Sequence, residues 1–180
     1  MVRAQQGDEE AFDEIVREAG GRLLAVAWRI LRDLPAAEDS VQRAFVTAWR
    51  ELPRLRDPDR LDAWLYRLLV RACAAERHGL ARLRLRVADL GADAIIDVGR
   101  DAAQGIAERD ALERAFGRLS RDERSIIVLR YYEDLPVEAI AEALNIPSGT
   151  AKSRLYHARS ALRAALDAES RLSVTEEASV

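Results

Sequence analysis

Apolar residues recur every three or four positions through almost all of this 180-residue chain, and this spacing limits its possible folds more than any other feature. The alternation of apolar and polar residues that marks a half-buried strand is scarce. Alanine, the best helix former, occurs 32 times. The pattern therefore predicts an all-α fold.

The periodic segments form two groups of about four helices each. In the first group, Gly20-Gly21 and the turns at 33–35 and 53–60 are predicted to separate the helices. Between the groups lies a stretch rich in glycine, alanine and aspartate, which predicts a flexible linker. The predicted boundaries are 1–86 for the N-terminal helical domain, 87–105 for the linker, 106–168 for the C-terminal helical domain and 169–180 for a tail.

A short helix at 137–144, a tight turn at 145–147 and a long helix to about Ala168 predict a helix-turn-helix. The second helix of this motif enters the DNA major groove when the motif binds DNA. One stripe of the long helix is apolar and is expected to face the core (Ala151, Leu155, Ala158 and Leu162). The predicted helix caps are Asp8, Ser148 and the capping box formed by Ser120 and Glu123.

The net charge of −3, from 28 basic and 31 acidic residues, at first argues against a nucleic-acid partner. The distribution of the charges reverses that impression. Residues 143–166 contain four basic side chains and no acid, and residues 63–88 contain six arginines and a single acid, Glu76. Solvated helix faces are the alternative interpretation of such runs. Two basic runs in one chain favour a polyanionic partner. Because the protein as a whole is acidic, we expect it to bind that partner only through the surfaces that these two runs form.

Several other classes of protein are disfavoured by what the sequence contains. One cysteine and two histidines make a His/Cys metal site improbable, and the lone Cys73 fits a reducing cytoplasm. No uncharged run exceeds nine residues, and the N-terminus lacks an apolar signal segment. No nucleophile–base pair and no glycine-rich phosphate loop are present. We therefore expect a cytoplasmic protein without metal or cofactor that is not an enzyme.

A resemblance to a known family rests on four segments, residues 119–166, 7–16, 36–52 and 61–77, which are similar to the extracytoplasmic-function sigma factors of bacterial RNA polymerase. In the C-terminal half, residues 119–166 resemble the family's promoter-reading domain, most specifically in the run Gly149-Thr150-Ala151-Lys152-Ser153-Arg154-Leu155. In the N-terminal half, GDEEAFDEIV (7–16) is similar to the family's opening. AAEDSVQRAFVTAWREL (36–52) resembles its polymerase-clamp helix, and LDAWLYRLLVRACAAER (61–77) resembles its minus-ten helix.

The resemblance implies a function for each domain. The N-terminal domain would bind core polymerase through Glu38, Asp39, Gln42, Phe45 and Trp49. Its loop at 55–60 would hold a flipped base of the melted non-template strand, and the minus-ten contacts would be Arg56, Arg60, Trp64, Arg67, Arg71 and Arg77. The minus-thirty-five contacts would be Ser148, Thr150, Lys152, Ser153, Arg154, Tyr156, His157 and Arg159. Core packing is the alternative role of the aromatic residues Phe45, Trp49 and Trp64.

The resemblance thus implies a promoter-specificity subunit whose partners are core RNA polymerase and promoter DNA, both double-stranded and melted. An anti-sigma protein is a further possible partner, and the free chain is expected to be monomeric. Two other functions remain open from the sequence. A self-sufficient helix-turn-helix regulator would dimerise on palindromic DNA. A protein-interaction bundle without DNA affinity would leave the acid-free helix unexplained.

Overall fold

A computed structural model of the chain describes the backbone of residues 1–84 and 105–177, and the side chains of residues 1–76 and 110–171. Within those ranges the regular structure is entirely helical, which confirms the all-α prediction. The predicted linker at 87–105 lies outside the described residues, except for Gly105, at which a helix begins.

Residues 1–84 contain four helices, and two short 3₁₀ turns connect the third to the fourth. The helices are α1 (Val2–Gln5), α2 (Glu9–Leu31), α3 (Leu34–Glu51) and α4 (Leu61–Arg84), and the 3₁₀ turns are Leu52–Arg54 and Pro58–Arg60. The described part of the C-terminal half contains four more helices and one π-helical turn. These are α5 (Gly105–Arg118), α6 (Arg121–Ile127), the π turn (Val128–Tyr132), α7 (Val137–Leu144) and α8 (Ser148–Glu177).

Side-chain caps fix where several of these helices begin. The Asp8 and Asp33 carboxylates each accept a hydrogen bond of 3.0 Å from the backbone amide three residues later. Ser120 and Glu123 form a reciprocal capping box, so that two free amides at the start of α6 are satisfied. The predicted caps at Asp8 and Ser120 are therefore confirmed. Ser148, predicted as a cap, is instead the first residue of α8.

The predicted break at Gly20-Gly21 is wrong, because α2 continues through both glycines from Glu9 to Leu31. Each glycine costs about 1 kcal/mol of helix propensity relative to alanine. Ala19 and Leu23, on either side of the pair, are buried. Tertiary packing of this continuous apolar face outweighs the local preference for a break.

Helix α8 also extends beyond the predicted end of the C-terminal domain, and Glu169 explains why. Its side chain is buried against α5, where Arg114 Nε donates to Glu169 Oε2 over 2.7 Å and Arg118 forms a second ion pair. The hydrogen bond from Arg114, together with the positive charges of both arginines, lowers the pKa of Glu169. The segment predicted as a tail from residue 169 is therefore helical as far as Glu177.

We expect Glu169→Gln to lower the melting temperature by several degrees, because two arginines lose their carboxylate partner. The pKa of Glu169 is lower in the folded chain than the ordinary value of 4.5. Its stabilisation is thus complete above that value and is lost as the pH falls through the native pKa. Thermal unfolding followed by circular dichroism should show the two proteins converging in acid. Asp167→Asn, an exposed change on the same helix, is the matched control and should unfold like the native chain.

The two halves share one hydrophobic core. Leu65 and Leu69 of α4 and Ile140 of α7 are buried almost completely, and they belong to one continuous cluster. Across the contact between the halves, α7 packs on α4, while α6 and the π turn pack on α2. The first helix of the helix-turn-helix therefore lies against the helix that resembles the minus-ten helix.

A buried arginine links the same halves through backbone carbonyls. The Arg124 side chain of α6 is only 8% exposed, and burial lowers its pKa to about 10. Its Nε donates to the Ile30 carbonyl of α2 over 2.8 Å. Its Nη1 donates to the carbonyls of Leu119 (2.7 Å) and Gly117 (3.3 Å). One guanidinium thus joins the end of α2 to the end of α5.

Candidate nucleic-acid interface

The helix-turn-helix forms at the predicted position. α7 ends at Leu144, and Asn145 adopts a left-handed backbone conformation (φ 54°) that turns the chain toward α8. Ala151 and Ala158 of α8 are completely buried, while Leu155 and Leu162 are half-buried. The apolar stripe of α8 therefore faces the core as predicted, and its polar faces point away from the core.

The eight residues predicted to read the minus-thirty-five element lie on the outer faces of α8. Thr150 is half-buried and the other seven are exposed: Ser148, Lys152, Ser153, Arg154, Tyr156, His157 and Arg159. The Tyr156 ring is 68% exposed and meets the His157 ring edge to face, with 5.6 Å between centroids. An exposed basic helix without acidic side chains over its first five turns has the shape and the charge to enter a major groove.

The loop predicted to hold a flipped base is positioned by a residue that sequence reasoning missed. The Gln5 side-chain amide donates to the carbonyls of Leu55 (2.7 Å) and Leu52 (3.3 Å), and thereby anchors the loop to α1. The Asp57 carboxylate accepts a hydrogen bond from the Asp59 amide and starts the second 3₁₀ turn. No sequence pattern marks Gln5, because its partners are backbone atoms 47 and 50 residues away.

Three arginines predicted to contact the minus-ten strand lie close to the other half of the protein. Arg60 and Arg67 both form ion pairs with Glu142 of α7, with N–O distances of 3.2 and 3.6 Å. Arg71, one turn further along α4, is exposed and lines a groove between the two halves. Arg56 is exposed in the loop, and the side chain of Arg77 lies outside the described residues.

Two aromatic residues assigned to contact sites are in the core instead. Trp64 is 6% exposed and Phe45 is 9% exposed, and both belong to the hydrophobic cluster. Phe45 packs edge to face with Phe12, with 6.4 Å between ring centroids. In this arrangement both rings face the interior of the fold. Both occupy buried positions of amphipathic helices, and burial of their apolar area stabilises the fold.

The remaining residues assigned to polymerase binding lie on the exposed face of α3. Glu38, Asp39 and Gln42 are exposed on its first turns. Trp49, on its last turn, is 36% exposed and meets the Phe12 ring edge to face, with 4.9 Å between centroids. The result is an acidic and polar surface beside a partly exposed aromatic ring, which suits a protein partner better than DNA.

A groove of about 310 Å³ runs between the two halves. Arginines from three helices line it: Arg71 from α4, Arg121 from α6 and Arg154 from α8. Arg71, predicted to contact the minus-ten element, and Arg154, predicted to contact the minus-thirty-five element, therefore line the same groove. Cys73 also lines the groove, and burial raises the pKa of its thiol to about 11, so the thiol is un-ionised at neutral pH.

The described residues contain no group of three or more His, Cys, Asp or Glu side chains arranged to hold a metal ion. None of the helices within residues 1–84 and 105–177 combines the length and the apolar character needed to cross a membrane.

Comparison with protein families places a known domain on each half. Residues 15–82 match the family described as Sigma-70 region 2, and residues 109–162 match Sigma-70, region 4. The first match contains α3, the loop and most of α4. The second contains the helix-turn-helix and the predicted minus-thirty-five contacts.

Individual relatives are similar over nearly the whole chain. The RNA polymerase sigma-H factor of Pseudomonas aeruginosa is 34% identical over 92% of this chain and 91% of its own length. The ECF RNA polymerase sigma-E factor of Escherichia coli K12 is 30% identical over 90% of each chain. ECF RNA polymerase sigma factor SigW of Bacillus subtilis is 28% identical over 91% of this chain and 92% of its own.

Two solved structures have a similar fold. The sigma factor RpoE of Bartonella quintana, crystallised with the anti-sigma factor NepR, gives a TM-score of 0.72 at 23% identity. That alignment covers 88% of this chain and 98% of RpoE. CnrH, in complex with the cytosolic domain of CnrY, gives a TM-score of 0.62 at 26% identity over 93% of this chain and 94% of its own.

Proposed function

We infer the roles of individual residues from the family: the chain belongs to the extracytoplasmic-function sigma factors of bacterial RNA polymerase. It is an RNA polymerase sigma factor, which binds core polymerase and directs it to promoters in transcription initiation.

We assign minus-thirty-five recognition to the outer faces of α8. The exposure of their polar and basic side chains is the observation that supports this proposal most directly. Lys152, Arg154 and Arg159 supply positive charge, and Tyr156 and His157 supply the most prominent rings. Amides in the first turn of α8, together with the Ser148 hydroxyl, suit a phosphate. The buried stripe behind these residues packs the helix against α6 and α7, which holds the reading face outward.

The minus-ten element is assigned to the loop at 55–60 and to the arginine face of α4. Gln5 anchors the loop, which is a suitable place for a base drawn out of the melted strand. Arg56, Arg60, Arg67 and Arg71 follow the strand backbone through their guanidinium groups. Capture of one strand in this way would assist promoter melting. Trp64 is left out of this set because its ring is buried.

Core polymerase binds the outer face of α3 in this proposal. Glu38, Asp39 and Gln42 provide charged and polar contacts, and Trp49 provides a partly exposed aromatic anchor. Phe45 supports that face from beneath rather than contacting the partner. Domain limits near 1–86 and 106–168 remain our working boundaries, with α8 continuing beyond the second.

The chain acts without chemistry of its own in this proposal, as a cytoplasmic initiation factor that meets polymerase where transcription occurs. The free chain is proposed to be monomeric. Control by an anti-sigma protein is also proposed, because RpoE of Bartonella quintana, which has a similar fold, has been crystallised with the anti-sigma factor NepR.

In vitro transcription tests the assignment. The chain is mixed with core polymerase and templates carrying randomised minus-ten and minus-thirty-five elements, and the RNA 5′ ends are sequenced. We expect start sites that depend on the chain and share two elements. Lys152→Ala should alter only the upstream preference, and Arg56→Gln should weaken only the downstream one. Tight binding to palindromic DNA without polymerase would instead support a self-sufficient helix-turn-helix regulator.

His157 is the position at which α8 should be easiest to strengthen. It is exposed on the outer face of α8, and an arginine there would add a full positive charge at neutral pH. His157→Arg should tighten binding of the polymerase complex to promoter DNA at neutral pH and steepen its salt dependence by about one phosphate contact. Titration of fluorescent promoter DNA at several salt concentrations measures that slope. Ser170→Arg adds the same charge near the far end of α8 and should leave the slope unchanged. An unchanged slope for His157→Arg would refute the contact.

A further inference from the structure

Glu142 is the acidic residue that immediately precedes the acid-free run at 143–166. It lies on α7, is 43% exposed and forms ion pairs with both Arg60 and Arg67. Both arginines belong to the proposed minus-ten surface. The carboxylate thus binds the same two guanidinium groups that a strand phosphate would bind.

Other contacts hold α7 and its neighbours in this position. The Tyr66 hydroxyl of α4 donates to the Glu133 carboxylate, and the guanidinium of Arg32, the residue that follows α2, pairs with Glu113 of α5. The Arg29 guanidinium lies over the Tyr132 ring, 3.7 Å from its centroid. Together with the shared hydrophobic core, these contacts make a specific interface between the two halves.

This interface is incompatible with reading both promoter elements at once. The minus-ten and minus-thirty-five elements are separated by about 25 base pairs according to their names, or ~85 Å along B-DNA at about 3.4 Å per base pair. Arg71 and Arg154, assigned to the two elements, instead line a single groove of about 310 Å³. The halves must therefore separate before the chain can engage a complete promoter.

We propose that the face of α7 is an intramolecular docking surface for α4, on which Glu142 takes the place of a DNA phosphate. The closed chain and the melted minus-ten strand then compete for Arg60 and Arg67. This inference rests on the proposed minus-ten role of these arginines. A carboxylate repels phosphate, so Glu142 does not itself contact promoter DNA. Its proposed function is to compete with the DNA for the two arginines.

The test measures binding of the free, full-length chain to single-stranded DNA. The probe is a fluorescein-labelled oligothymidylate of about 12 nucleotides, because backbone contacts of this kind do not depend on sequence. Glu142→Gln should tighten binding about fivefold, the size expected when two partly exposed ion pairs are released. Glu138→Gln is the matched control: it makes the same charge change one turn earlier on α7, at an exposed residue, and should alter the affinity less than about twofold.

A variant that lacks both arginines distinguishes failure of the docking proposal from failure of the minus-ten assignment. Arg60→Gln combined with Arg67→Gln should weaken binding of the oligonucleotide, and adding Glu142→Gln to that chain should then have no further effect. If Glu142→Gln and Glu138→Gln act alike while the double arginine variant binds weakly, the docking proposal is overturned and the minus-ten assignment stands. If the double arginine variant binds as tightly as the native chain, the minus-ten assignment itself fails, and the competition proposal fails with it.

Discussion

Trp64→Ala should lower the free energy of unfolding by about 3–5 kcal/mol, which is typical for removal of a buried aromatic side chain. The indole is 6% exposed among the apolar residues of α4 and its neighbours, so truncation leaves a cavity that the packed helices can fill only partly. A strand-contact role predicts a different result, namely a small loss of stability and a large loss of DNA affinity.

Urea denaturation followed by far-ultraviolet circular dichroism measures this loss without relying on tryptophan emission. Trp49→Ala is the matched control: its side chain is 36% exposed, and we expect a cost below about 1 kcal/mol. Trp64→Phe should fold and bind oligothymidylate like the native chain, because an apolar ring still fills the site. If Trp64→Phe is fully folded but no longer binds the oligonucleotide, Trp64 does contact the DNA strand, and the core-packing interpretation is wrong.

The predictions from sequence were most accurate for elements that depend on residues close together in the chain. The Asp8 cap, the capping box at Ser120 and Glu123 and the helix at 137–144 all formed where expected, because each depends on residues within a few positions of one another. The buried stripe of α8 followed for the same reason, since its period of 3.6 residues alone separates the inner face from the outer face.

Periodicity could not decide between burial and contact for the aromatic residues. Trp64 and Phe45 lie at apolar positions of amphipathic helices, and the resemblance alone moved them to the contact sites. The structure buries both, while Trp49, one turn after Phe45, remains partly exposed. Phe12 of α2 contacts both Phe45 and Trp49 of α3, so the environment of these two rings depends on how α2 packs against α3. Contacts of that kind join residues that are far apart in sequence.

Long-range polar contacts were equally invisible to sequence reasoning. In the sequence Glu142 is only the residue before an acid-free run. Its partners, Arg60 of the second 3₁₀ turn and Arg67 of α4, come close to it only when α7 packs against α4. No sequence pattern distinguishes Arg124 from the other arginines of the chain. Its carbonyl partner on α2 lies 94 residues earlier, and a backbone acceptor leaves no mark in a sequence pattern.

Arg124→Ala should destabilise the chain by about 3–5 kcal/mol, since three carbonyls lose a charged donor and two of the three contacts are buried. Because one of those carbonyls belongs to Ile30 in the other half, the change should also loosen the contact between the halves. We therefore expect a larger radius of gyration in small-angle X-ray scattering, measured under conditions where circular dichroism shows that the helices remain intact.

Two further variants distinguish the stability lost with the Arg124 hydrogen bonds from the stability lost with the side-chain volume. Arg124→Met keeps most of the side-chain length but donates nothing, so it should be nearly as destabilising as alanine. Arg124→Lys keeps the charge but not the planar fork that reaches separate carbonyls, and it should recover only part of the loss. Arg50→Ala, which removes an exposed arginine of α3, should cost less than about 0.5 kcal/mol. If Arg124→Met proved as stable as the native chain, burial of the stem rather than the three carbonyl contacts would hold the halves together.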